Sequence, residues 1–171
     1  MDKRRILKEI GISLAYAFLF AGILFFVFWP FKLDGESMAP TFSSDDRVVI
    51  SRVISLTSAP QRGDIVVCDL ENGGEKILAI KRIVALPDEK IEIKNGDVFV
   101  DGQAIAEGYL ENEHITTGDI DLTLGEDEYF VLGDNRGISL DSRKLGAIKK
   151  SDIKGKVIFQ FYPFEEIKRI K

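Results

Sequence analysis

Two residue types that build many catalytic and structural sites are almost missing from this 171-residue chain. It has one cysteine, Cys68, and one histidine, His114. One cysteine excludes an intramolecular disulfide, and one histidine excludes most catalytic zinc sites. We therefore expect no metal and no cofactor. Acidic residues outnumber basic ones, 28 to 23, and the net charge of −5 argues against nucleic acid as the main partner.

Charge is absent from residues 10–31, a run of 22 residues that holds six of the 12 phenylalanines and the one tryptophan. As a helix this run would be ~33 Å long, which matches a hydrocarbon core of ~30 Å. Four basic residues precede it, whereas one base and two acids follow closely. The run predicts a transmembrane anchor at 10–31, with residues 1–9 in the cytoplasm and the rest outside the cell membrane.

Two other interpretations of this run remain open. A cleaved secretory signal has an apolar region of ~7–15 residues and ends in small residues. This run is longer and continues as FVFWPFKLDGES, without such a site. A buried core helix is the third interpretation, but a helix that is apolar on all sides needs a larger protein to cover it. We favour an uncleaved anchor.

Alternating apolar and polar residues dominate the remainder of the chain and predict β-strands. The predicted strands cover residues 47–54, 65–70, 76–86, 90–94, 97–100, 129–132 and 156–162. Asn95-Gly96 predicts a type I′ turn between two of them. No segment has a convincing helical period, so an α/β fold is not expected. We predict a mostly β protein: an antiparallel sheet domain at 32–86 and 128–171, with a small inserted β subdomain at 87–127.

Three segments could carry chemistry. GESMAPTF (35–42) places Ser37 in a tight turn close to the anchor, although a lone serine there can be simple turn chemistry. The strand ILAIKRIVAL contains Lys81, whose pKa would fall if it were buried. A neutral lysine can take a proton from a serine hydroxyl, but an edge lysine that reaches solvent is the alternative. GDNRGISLDSR (133–143) is polar and turn-prone, and alone it indicates a surface loop.

The two rare residues have simpler interpretations. His114 could in principle act as a triad base, but it lies in the acidic stretch ENEHITTGD, which favours a solvated loop histidine. Cys68, in the strand IVVCDL, is predicted to be a small buried hydrophobic residue.

These segments, in this order after an N-terminal anchor, resemble those of bacterial type I signal peptidases. The resemblance also covers RGDIVV (62–67), IKRIVALPDE (80–89) and, more weakly, GKVIFQFYPF (155–164). Members of that family are membrane-anchored Ser/Lys proteases that cleave signal peptides from exported preproteins. The single anchor and the compact chain look like the Gram-positive form. The family fold, a mostly β catalytic domain with a smaller inserted domain, agrees with the strand pattern.

The resemblance implies a role for each matching residue. Ser37 would be the nucleophile and Lys81 its general base, with Ser139 hydrogen-bonded to Lys81. Asp141 and Arg143 would pair and hold the loop in place.

Three further residues would support the site: Asp134 in the same network, Met38 beside the nucleophile, and Arg82 as a structural residue. The Ser37 backbone N–H would donate to the oxyanion, whereas the serine donor of some family members is replaced here by Gly35.

The implied substrate is a preprotein that binds in extended form beside a sheet edge, with small side chains at positions −1 and −3, typically Ala-X-Ala. Four residues that flank the nucleophile and the base are the candidate pocket walls: Leu33, Asp34, Leu78 and Ile80. Two other functions stay open. One is a Ser/Lys protease with a single dedicated substrate, and the other is a non-catalytic anchored β domain that binds exported partners.

Overall fold

The computed structural model describes residues 3–53, 58–110 and 115–170. It begins with one long helix, α1 (Lys3–Val27). The segment Ile6–Val27 of this helix is 22 residues long, with a mean hydropathy of 2.4 in its most apolar window. None of that window is buried inside the protein, which contradicts the interpretation as a core helix. By length and composition the helix can cross a membrane.

The end of this helix differs from the sequence prediction. The helix stops at Val27 rather than at Phe31, and Phe28–Lys32 form an edge strand that pairs antiparallel with Arg47–Ser51. Pro30 fits there because an edge strand does not need every N–H in its ladder. Hydropathy alone could not separate the two elements, since an apolar helix and an apolar strand give the same signal over a few residues. The predicted helical span 10–31 therefore ends four residues too late.

The other described residues form two antiparallel sheets. In chain order the strands are β1 (Phe28–Lys32), β2 (Arg47–Ser51), β3 (Ile65–Asn72), β4 (Glu75–Ala85), β5 (Lys90–Lys94), β6 (Asp97–Val100), β7 (Gln103–Ala104), β8 (Ile120–Thr123), β9 (Glu128–Leu132), β10 (Ile148–Lys149), β11 (Ile153–Tyr162) and β12 (Lys168–Arg169). The first sheet has eight strands in the order β1-β2-β11-β3-β4-β9-β10, with β12 paired to β11, and the second has four strands in the order β7-β6-β5-β8. A short helix, α2 (Ser142–Leu145), and two 3₁₀ turns, Lys150–Asp152 and Phe164–Glu166, complete the described elements.

The predicted fold class is confirmed, and so are most of the long strands. The hairpin between β5 and β6 turns at Asn95-Gly96, where both residues have positive φ, 55° and 91°, as a type I′ turn requires. The strand predicted at 47–54 is shorter, because it ends at Ser51 and the chain then turns helical at Arg52. Ile54 lies outside the described residues.

The second sheet falls within residues 87–127, and it is packed against the first. One buried cluster joins Val84, Phe130 and Leu132 of the large sheet to Ile91 and Val98 of the small one. Another cluster lies under the segment that carries Ser37. The two sheets therefore share a hydrophobic core, while the division of the chain into two domains at these boundaries stays a prediction.

Candidate active site

The segment between β1 and β2 holds Ser37 by burying its neighbours. Met38 and Phe42 are almost completely buried in the cluster that also contains Leu33. The Phe42 N–H donates to the Met38 carbonyl at 3.0 Å, and Gly35 turns the chain at φ 86°. With apolar side chains fixed on both sides, the hydroxyl of Ser37 is left at the surface of the core, half-buried.

Lys81 reaches Ser37 from the middle of β4. Its Nζ lies 2.9 Å from Ser37 Oγ and donates a second hydrogen bond to its neighbour's carbonyl, Ile80 O, at 2.8 Å. The lysine is 2% exposed, so the interpretation as a solvent-reaching edge lysine is wrong. Within the described residues no carboxylate forms an ion pair with it.

The surroundings of Lys81 favour its neutral form. Burial lowers the pKa of its amine from the ordinary value of 10.5, and the nearby Cys68, Asp141 and Asp134 offset this only in part. A neutral amine in contact with a serine hydroxyl is the pair that lysine-activated serine chemistry requires.

One edge of β4 is open just before Lys81. Strand β3 pairs with β4 from Glu75 to Arg82, but β9 joins the other edge only from Arg82 onwards. Residues 75–80 therefore have no neighbouring strand on that side among the described residues, and Leu78 there is 43% exposed. An extended peptide can add to such an edge and would run towards Lys81.

The loop 133–143 closes over the serine. The Asn135 N–H donates to the Ser37 carbonyl at 3.0 Å. At Gly133 an added Cβ would lie 2.2 Å from Ser139 Oγ and 2.5 Å from Ser37 O, so this close approach leaves no space for a side chain. The hydrogen bond between Ser139 and Lys81 that the resemblance implies is not present. Ser139 Oγ is nevertheless buried.

A buried ion pair connects this loop to β4. Arg82 donates from Nε and Nη2 to the two carboxylate oxygens of Asp134, at 2.8 and 2.6 Å. Thr41, in the serine segment, donates its hydroxyl to Asp134 at 2.5 Å, and Arg82 also donates to the Gly63 carbonyl at 3.0 Å. This network joins the serine segment, β4 and the loop 133–143. Removing one member would leave an uncompensated buried charge, which is strongly destabilising.

Asp141 and Arg143 form the second pair within the loop. The guanidinium of Arg143 donates to both oxygens of Asp141, at 2.8 and 2.9 Å, and the Gly133 N–H donates to the same carboxylate at 3.0 Å. Burial alone would raise the pKa of Asp141, but these hydrogen bonds outweigh it and hold that pKa below its ordinary value. Asp141 also caps helix α2.

A third arginine of the loop, Arg136, was not singled out from the sequence. It is buried, donates from Nε to the Gly133 carbonyl at 3.1 Å, and pairs with the carboxylate of Glu107 in the segment after β7. Glu107 also accepts from the Tyr109 hydroxyl at 2.7 Å, and the Tyr109 ring lies 3.9 Å from the Arg82 guanidinium carbon. The segment beside the small sheet therefore supports the loop that contacts Ser37.

The predicted pocket residues divide into two groups. Leu33 and Ile80 are buried in the cluster with Met38, whereas Asp34 and Leu78 are exposed. Their contact with a substrate stays a prediction.

Of the single histidine and the single cysteine, the structure describes only the cysteine. His114 lies outside the described residues. Cys68 is fully buried, as predicted, and burial raises the pKa of its thiol to about 12.

An antiparallel β framework holds the hydroxyl of Ser37 within hydrogen-bond distance of a buried lysine amine, which is the arrangement of a serine site with a lysine neighbour. Comparison with known proteins identifies the family of this chain. The family model described as signal peptidase, peptidase S26, matches residues 4–162. This chain therefore belongs to the signal peptidase family.

Individual relatives are similar over nearly their whole length. Signal peptidase I P of Bacillus subtilis subsp. natto is 37% identical over 175 residues, which cover 96% of this chain and 92% of that protein. Signal peptidase IB of Staphylococcus aureus (strain COL) is 35% identical over 184 residues, covering 97% and 94%. A crystal structure of a signal peptidase I from Enterococcus faecalis V583 matches with a TM-score of 0.49 at 30% identity, covering 58% of this chain and 97% of that one.

Proposed function

We propose that this protein is a membrane-anchored serine endopeptidase that removes N-terminal signal peptides from exported preproteins, with Ser37 as nucleophile and neutral Lys81 as general base. The observation that carries the proposal is the 2.9 Å contact between Lys81 Nζ and Ser37 Oγ at a lysine that is shielded from water. The relatives are signal peptidases by name, and membership of their family gives the reaction type.

Each catalytic step uses this pair. The neutral amine of Lys81 takes the proton from Ser37 as the hydroxyl oxygen attacks the scissile carbonyl. The backbone N–H of Ser37 donates to the oxyanion that forms. The resulting ammonium gives its proton to the leaving amine, which releases the mature protein. Lys81 then takes a proton from the water that hydrolyses the acyl-enzyme. Gly35 offers no side-chain donor, so any second oxyanion donor must be a water or another backbone N–H.

The open edge of β4 is the proposed binding place for the cleavage region. A preprotein in extended form would add as a strand along residues 75–80 and so place its scissile bond at Lys81 and Ser37. Leu33 and Ile80 would form the floor of small pockets that accept the −1 and −3 side chains, and Asp34 and Leu78 would border them. Because Leu33 and Ile80 are already packed into a hydrophobic core, pockets above them would be shallow and would favour alanine over larger residues.

The anchor places this reaction at the membrane. Helix α1 would cross the bilayer with residues 1–9 in the cytoplasm, because the basic residues cluster before the span. The site follows the end of the helix by only ten residues, Phe28 to Ser37, so it would lie near the outer surface where signal-peptide cleavage sites emerge.

The test is cleavage of an Ala-X-Ala preprotein by the full-length protein in detergent. Ser37→Ala and Lys81→Met should each lower the rate by at least about 1,000-fold, since each removes a group that no neighbour replaces. Lys144→Met, which removes an exposed lysine, is the matched control and should cleave normally. Equal thermal unfolding of all variants would show that the fold is kept. Substantial activity of Lys81→Met would refute the assigned base, and a panel of preproteins would separate a general enzyme from one with a dedicated substrate.

A further inference from the structure

A groove lies where helix α1 meets the β domain, and neither Ser37 nor Lys81 lines it. Its volume is about 790 Å³. Phe26 from the last turn of α1, Trp29 from β1 and Leu78 from β4 form apolar walls. Phe26 and Leu78 are among the exposed large hydrophobic residues of the protein. An apolar groove open to the surface at this position is suited to a ligand with a hydrocarbon part.

The rim of the groove is cationic although the protein is acidic. Arg52, Lys150 and Lys154 line it, against a single carboxylate, Asp127. Lys154 is paired with Asp69 at 2.8 Å and is therefore partly neutralised. Within the described part of the chain, Arg52 and Lys150 have no carboxylate partner.

Arg52 is held over the apolar wall by aromatic rings. Its guanidinium carbon lies 4.6 Å from the ring centre of Trp29 and 5.4 Å from that of Phe26. Such contacts fix the guanidinium while leaving its N–H donors available. A positively charged donor beside an apolar wall matches a ligand that has an anionic group next to a hydrocarbon chain.

The position of the groove indicates which ligand has this chemistry, and this step rests on the membrane anchoring proposed above. The apolar span ends at Val27, so Phe26 and Trp29 would lie where the hydrocarbon core gives way to the headgroups. We propose that the groove binds the headgroup of an anionic phospholipid. The phosphate would lie by Arg52 and Lys150, and an acyl chain would lie along Phe26 and Leu78.

The groove and the substrate edge share a residue. Leu78 forms a wall of the groove and also belongs to the open edge of β4. A bound lipid would therefore border the path along which the preprotein enters, without contacting Ser37 or Lys81.

The single tryptophan of the chain, Trp29, lines the groove and reports its occupancy. The full-length protein in neutral detergent micelles is titrated with phosphatidylglycerol or phosphatidylcholine, each carrying brominated acyl chains, and quenching of Trp29 fluorescence is measured. Each cation near an anionic lipid raises the binding affinity by about fivefold, and two such cations, Arg52 and Lys150, line the groove. Half-maximal quenching should therefore need about 25-fold less phosphatidylglycerol than phosphatidylcholine. The double variant Arg52→Gln/Lys150→Gln should lose this preference.

The matched control is Lys94→Gln/Lys144→Gln, which removes two cations elsewhere and should keep the full preference. Equal unfolding temperatures of the wild type and both double variants would show that the substitutions leave the fold intact. Equal quenching by both lipids in the wild type, or an unchanged preference in the first double variant, would overturn the proposal. Displacement of the lipid by an acidic peptide at lower concentration would also overturn it and assign the groove to a polypeptide.

The fluorescence assay does not depend on cleavage, so the two proposals can fail separately. A protein that prefers phosphatidylglycerol but cleaves no preprotein would contradict the proposed enzyme and leave the lipid site standing. A protein that cleaves but shows no lipid preference would contradict only the lipid site.

Discussion

Among the glycines of the described residues, an added Cβ would meet its nearest neighbour at the shortest distance at Gly133. The new Cβ would lie 2.2 Å from Ser139 Oγ and 2.5 Å from the Ser37 carbonyl oxygen. Ordinary contacts of a Cβ begin at 3.4 Å, so the loop and the segment that carries Ser37 must separate by about 0.9 Å. Ser37 O also accepts the Asn135 N–H, and this separation would stretch that hydrogen bond.

The expected cost has two parts. Overpacking in a filled region lowers the free energy of unfolding by about 1–3 kcal/mol. A displacement of about 1 Å at a reacting group can cost about 100-fold in rate. We therefore expect Gly133→Ala to remain folded at 25 °C while its kcat for an Ala-X-Ala preprotein falls by about 100-fold.

Gly137→Ala is the matched control in the same loop. Its added Cβ would meet only Asn135 Oδ1, at 3.8 Å, which is an ordinary contact. Its cleavage rate and unfolding temperature should both stay near the wild-type values. If Gly133→Ala were as active and as stable as this control, the close packing of the loop on Ser37 would be refuted.

Three further outcomes are expected. Burial lowers the pKa of Lys81, so the cleavage rate should rise with pH through a value below 10.5, and a flat pH–rate profile would contradict this. The free energy of unfolding, compared with that of Lys81→Met, should also rise with pH up to about 10.5, because the unfolded chain keeps the lysine proton to a higher pH than the folded protein does. Glu107→Ala leaves the buried Arg136 guanidinium without its carboxylate and should lower the free energy of unfolding by about 3–5 kcal/mol in urea titrations, whereas the exposed Glu71→Ala should change it little. The pKa of Cys68 is raised to about 12 by burial, so a thiol reagent at pH 8 should label it only as the protein unfolds, and labelling within minutes in the native state would refute its burial.

The sequence predicted the parts of the fold that have a local signal. Strands β4, β5 and β6 were found because their side chains alternate or form a long apolar run, and Asn95-Gly96 because few residues adopt two successive positive φ values. The short strands β7, β8, β10 and β12 were missed. They have two to four residues, and β8 is mostly exposed, so no apolar alternation marks it.

The candidate site was predictable as a set of residues but not as a geometry. Ser37 and Lys81 came from motifs and from a family resemblance, since no rule of spacing brings together two residues 44 positions apart. The ion pair between Arg136 and Glu107 could not be predicted, because a pair of residues far apart in the chain produces no periodic pattern in the sequence. Motifs also do not record that the Lys81 amine donates to the Ile80 carbonyl beside it.

The direct passage of α1 into β1 determines where the chain can be shortened. A protein that begins at Phe28 would lose the apolar helix but keep an eight-stranded sheet, with Trp29 and Phe31 still packed against the core under Ser37. A protein that begins at Leu33, after the whole uncharged run, would also lose β1 and leave β2 as an uncovered edge. Such an edge is a template for aggregation. Solubility after removal of α1 therefore depends on a strand of which four residues, 28–31, belong to the uncharged run that hydropathy assigns to the membrane.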